Sequence, residues 1–110
     1  MKLVTNINPK ALQLTILFLR QYHPQTAQLL PGPKEYPPPG AELLIEVAPS
    51  TVSEIIDSLN HIAEQWLNEK SPKSKKKERD YYRQGCIAFL LDEWIKIGEQ
   101  CRQTLKAQIH

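Results

Sequence analysis

The sequence predicts a small, mainly α protein. Three principal helices, over about residues 9–22, 52–69 and 77–106, pack as a small bundle, and residues 42–48 read as a short β-strand. Three observations predict this. Two long stretches repeat apolar residues at the three-and-four spacing of a helix with one buried face. Helix-start signals stand near the head of the first two, at Asn8-Pro9 and at Thr51-Val52-Ser53-Glu54. The chain has 110 residues, 41% of them apolar, which suffices for one core and not for two domains.

The first helix starts at Pro9, because asparagine is a good N-cap and proline suits the first helical position. It stops at Tyr22, because Pro24 disfavours helical angles at His23. A short second turn over Gln25–Leu30 follows. Leu12, Leu14, Ile16, Leu17, Phe18, Leu19 and Tyr22 point in almost every direction around the helix axis. Such a helix is expected to pack on more than one side, at the centre of the domain or at a subunit contact.

Five of the nine prolines fall in residues 31–39. Each fixes φ and lacks an amide donor, so residues 31–40 read as a semi-rigid connector. Ile45 and Val47 are β-branched and Pro49 ends their run, which favours a strand over 42–48. Its evident partner is Lys2–Thr5. A two-stranded ribbon is marginal alone and needs helix packing.

The second helix is the strongest reading. Thr51 and Glu54 form a capping box, and Val52, Ile55, Ile56, Leu59, Ile62, Ala63, Trp66 and Leu67 follow the helical pattern without a miss. In the third helix, Ile87, Leu90, Leu91, Trp94, Ile97, Gly98, Cys101 and Leu105 form the core arc. Tyr82, Cys86 and Phe89 form a second, smaller stripe along one edge. Gly98 costs about 1 kcal/mol relative to alanine in a helix, and its place in the core arc predicts a close helix approach. Thirty helical residues span about 45 Å, whereas a compact domain of this length is about 33 Å across. The helix therefore bends, near Gly85 or Gly98, or projects. A projecting end carrying Tyr81, Tyr82 and Phe89 would want a partner.

Net charge is +2, but residues 70–83 hold seven basic and two acidic groups, a local +5, which leaves +2 − 5 = −3 for the remainder. Residues 70–80 read as a basic interhelical loop. The opening residues do not read as a signal peptide, and no apolar run is long enough to span a bilayer, so no membrane partner is expected. Cys86 and Cys101 are fifteen residues apart on one helix, about 22 Å by helical rise, too far for a mutual disulfide. A cytoplasmic location is the expectation.

Chemistry is thinly represented. No nucleophile motif or phosphate loop is present, so no enzyme, cofactor or metal is expected. Asp57, His61 and Glu64 share one helix face at i, i+4 and i+7, a spacing compatible with metal ligands but ordinary for surface ion pairs. The leading expectation is a non-catalytic protein–protein interaction module: an accessory protein, adaptor or assembly factor. Its partner is another protein or a second copy in a homodimer. Tyr82 and Phe89 would supply apolar contact. Lys73, Lys75, Lys76, Lys77, Arg79 and Arg83 would steer an acidic partner. The alternative is a nucleic-acid-binding accessory protein that uses residues 70–83, with Tyr81 and Tyr82 stacking on bases.

Overall fold

A computed structural model describes the backbone of residues 3–30, 32, 35–38, 40, 41, 43–68 and 73–109. Its side chains are described for residues 4–30, 32, 35–38, 40, 41, 43–66 and 84–107. The elements run β1 (Leu3–Ile7), α1 (Pro9–Tyr22), α2 (Pro24–Ala27), β2 (Leu43–Val47), α3 (Pro49–Asn68) and α4 (Lys73–Ile109). It is a helical bundle with a two-stranded antiparallel sheet at one side.

α1 begins where its cap requires. The Asn8 side-chain oxygen accepts from the N–H groups of Lys10 at 2.9 Å and Ala11 at 3.4 Å, and Pro9 fills the first helical position. His23 leaves the helix at φ −138°, ψ 68°, as the following proline demands. A short turn, α2, comes next and is extended by N–H bonds from Leu29 to Thr26 and from Leu30 to Ala27. The buried side of α1 is one stripe: Ala11, Leu12, Thr15, Ile16 and Leu19. Leu14, Phe18 and Tyr22 flank it half-buried, but Leu17 is 52% exposed. α1 thus presents one side to solvent and is not enclosed all round.

β1 and β2 pair with Leu3 opposite Val47, Thr5 opposite Ile45 and Ile7 opposite Leu43. Successive strand side chains alternate between faces. Thr5, Ile7 and Val47 are buried beneath the sheet, while Val4 and Leu44 lie exposed on its outer face.

Two helix starts differ from the sequence expectation. α3 begins at Pro49, and the Val52 N–H already donates to the Ala48 carbonyl at 3.2 Å. Thr51 therefore lies inside the first turn and does not cap it. Proline at the first helical position sets the start, so the capping box is replaced by a proline start. α4 begins at Lys73, so the backbone of residues 73–80 is helix and not loop. Lysine, arginine and glutamate are good helix formers, and Glu78 and Asp80 stand three or four positions from Lys75, Lys76 and Lys77, a spacing that favours helix.

α4 has 37 residues, about 55 Å at helical rise, and the molecule measures 55 × 29 × 22 Å. The helix is therefore essentially straight and sets the long axis. α3, with 20 residues, covers about 30 Å of it. α4 projects; it does not bend at Gly85 or Gly98.

The core joins α1, α3 and α4. Val52, Ile55, Leu59 and Ile62 of α3 meet Leu90, Trp94 and Ile97 of α4, all at most 2% exposed. The Trp94 indole N–H donates to Thr15 Oγ at 2.9 Å, and the Thr15 hydroxyl donates to the Ala11 carbonyl at 2.7 Å. Two buried polar groups are thereby satisfied at the meeting of α1 and α4. At the other end of α1, the Trp66 indole N–H donates to the Tyr22 hydroxyl at 2.8 Å. The Phe18 and Tyr22 rings meet Trp66 edge-on, at centroid distances of 5.4 and 6.0 Å.

Gly98 does face α3, but a Cβ added there would sit 3.6 Å from a Val52 methyl, an ordinary contact. The approach tolerates alanine. Gly98→Ala is expected to stabilise the fold by about 0.5–1 kcal/mol through helix propensity. The measurement is the urea midpoint, which should rise with the slope of the transition unchanged.

Candidate interaction surfaces

The residues singled out by the sequence fall on one element. Lys73, Lys75, Lys76, Lys77, Arg79, Tyr82 and Arg83 lie on the first three turns of α4, and their side chains lie outside the described residues. Phe89 is 38% exposed, and Cys86, one turn before it, is half-buried. Further along the same side of α4, the sheet takes over. The Asn8 N–H donates to the Glu93 carboxylate at 3.2 Å, and the Thr5 hydroxyl donates to Gln100 Oε1 at 2.7 Å. Phe89 stands one turn before Glu93 on this same side and is exposed there. No acidic residue occupies the first turn of α4. Its lysines crowd the positive end of the helix dipole, where cations are disfavoured.

Two grooves were not anticipated from the sequence. One, of about 270 Å³, runs between the start of α3 and the last third of α4, past Pro49, Ile56, Ile95, Gly98 and Leu105. Ile95 is 46% exposed there. Its signal in the sequence is its position four residues after Leu91 and three before Gly98, beside the core arc. The second groove, of about 490 Å³, follows β2 from Leu43 to Ala48 and is walled by Leu29, Leu30, Gly32 and Thr51. Its far wall comes from residues distant in sequence, so only the strand side of it had a sequence signal.

Of the residues considered for chemistry, Asp57, His61 and Glu64 line neither groove, whereas Cys101 lines the groove between α3 and α4. His61 is exposed on α3, with its ring 6.0 Å from that of His23. Among the described residues, no three His, Cys, Asp or Glu side chains converge as a metal site. Both cysteines are free. Cys101 is 4% exposed, and burial pushes its thiol up from the ordinary range, which disfavours the reactive thiolate. Among the described residues, no helix is long and apolar enough to cross a membrane.

Comparison with models of known protein families, with curated proteins and with solved structures finds no match to this chain.

Proposed function

We propose that the protein is a non-catalytic interaction module of the accessory, adaptor or assembly-factor kind, and that its simplest partner is a second copy of itself. The observation that carries this reading is the projecting helix. α4 extends well beyond the length of α3, its first turns carry the cationic run, and Phe89 stands exposed next to them. Phe89 is 38% exposed, so burying the remainder of its ring against another chain contributes on the order of 1 kcal/mol. Tyr82, seven residues before Phe89 on the same helix, would extend that apolar contact.

Charge favours the same occupant. Residues 70–83 carry +5 and the rest of the chain −3, so the body of a second copy is an acidic partner for the basic turns of the first. Carboxylates brought near those turns also relieve the unfavourable crowding of lysines at the helix start. Such charges raise the association rate more than the affinity. Replacing Lys75, Lys76 and Lys77 together by glutamate is expected to slow association by about tenfold or more at low salt, and by little at 0.5 M salt. Stopped-flow or surface-based kinetics reads the rate. A triple variant that associates as fast as wild type at low salt contradicts the steering role.

The same lysines support the alternative reading, a nucleic-acid-binding accessory protein, which differs in its signature. Affinity for a single-stranded oligonucleotide would fall steeply with salt and vanish in the triple variant. The net acidity of the rest of the chain weighs against it, since phosphate is repelled outside the basic turns.

A further inference from the structure

β2 is hydrogen-bonded to β1 along one edge. Its other edge opens into the groove of about 490 Å³. Six consecutive residues, 43–48, line that groove. Side chains alternate between the two faces of a strand, so a groove touched by all six follows the backbone edge and not one face. Alternate N–H and C=O groups of β2 therefore look into it. Among the described residues, no hydrogen bond from another element reaches 43–47 on that side. Backbone groups in such a setting call for partners, and exposed strand edges in natural proteins are normally blunted by proline, lysine or a bulge. The run Leu43-Leu44-Ile45-Glu46-Val47 holds neither proline nor lysine, and its register with β1 is unbroken.

The chemistry of the groove says what fits. An unpaired edge offers main-chain hydrogen bonds to an extended polypeptide, in the strand-addition mode of recognition. Leu29 and Leu30 supply an apolar wall, and among the described residues Glu46 is the one ionisable group on the lining. A second copy of β2 is the poorer occupant, because the run 43–47 carries no lysine or arginine to set beside Glu46, and in the register centred on Glu46 it places two carboxylates directly opposite each other.

We propose that the free edge of β2 takes an extended segment of a partner protein as a third strand. Apolar residues of that segment face Leu29 and Leu30, and a lysine or arginine lies beside Glu46. This surface is separate from the Phe89 stripe, and neither reading depends on the other.

The test uses the full chain, labelled with ¹⁵N, and a capped nine-residue peptide that alternates threonine and valine with one central lysine. The control peptide carries glutamate in place of the lysine. Addition of the lysine peptide should slow amide exchange at alternate residues of 43–47, those whose N–H groups are not already bonded to β1. The lysine peptide should bind about tenfold more tightly than the glutamate peptide, as opposite against like charges at one cross-strand site imply. Glu46→Lys, at an exposed position, should invert that preference. Equal affinity of the two peptides overturns the proposal, as does absence of protection at about 1 mM peptide. Protection of the same amides in the free chain, rising with protein concentration, overturns it as well, because a second copy is then the occupant.

Discussion

Trp94→Ala is expected to destabilise the protein by about 3–5 kcal/mol, the largest loss available from a single side chain. Trp94 is 0% exposed and is the largest of the fully buried side chains. It packs where α1, α3 and α4 meet, and its indole N–H is anchored on Thr15. Alanine removes the ring and leaves a cavity that three helices cannot close. Against a total stability of about 5–15 kcal/mol for a domain, such a loss leaves a sizeable unfolded fraction. Thr15→Val separates the polar part of the effect. It keeps the shape but leaves the indole N–H buried without its acceptor, at a cost of about 1–3 kcal/mol. Denaturation in urea followed by circular dichroism measures both. A loss under about 1 kcal/mol for Trp94→Ala would mean that the three helices do not share the core described.

Phe89→Asp is expected to abolish self-association while leaving the monomer folded. Phe89 is partly solvated in the monomer, in contrast to Leu90 beside it, which is fully buried. The substitution therefore creates no core cavity. In an associated state it places a carboxylate where an aromatic ring is buried, and an uncompensated buried charge costs several kcal/mol. At typical dimer affinities that raises the dissociation constant by about a hundredfold or more. Thermal melting checks that the fold is retained. Leu90→Asp is the contrast, since the same charge one residue on should unfold the protein.

The outline of this fold was legible in local chemistry. Asn8-Pro9 located the start of α1, Pro24 its end, and the β-branched pair Ile45 and Val47 marked the strand that pairs with the N-terminus. The apolar periodicity of α3 and α4 named most of the buried set in both helices. The errors came where one residue type serves two roles. Pro49 ends a strand and also opens a helix, and the second role sets the start of α3, so the capping box at Thr51 lost to a proline start. The lysine run reads as a solvated loop by charge, yet lysine is a good helix former and α4 begins at Lys73. Leu17 looked like part of an all-round apolar helix, but the other elements pack on only part of α1. Length left α4 a choice between bending and projecting, and spacing set Phe89 at the edge of the core arc; the structure gives the projection and an exposed Phe89. The groove along β2 followed from neither, because its far wall comes from the segment around Leu29 and Leu30.

The central claim is that the Phe89 stripe on α4 buries itself against a second copy. The most direct test is the solution mass of wild type and Phe89→Asp by light scattering on a size-exclusion column, at low and high salt and over a range of concentrations. The account predicts a wild-type dimer at both salts, more slowly formed at high salt, and a folded monomer for Phe89→Asp. A wild type that stays monomeric throughout, or a Phe89→Asp variant that associates as wild type does, would contradict it.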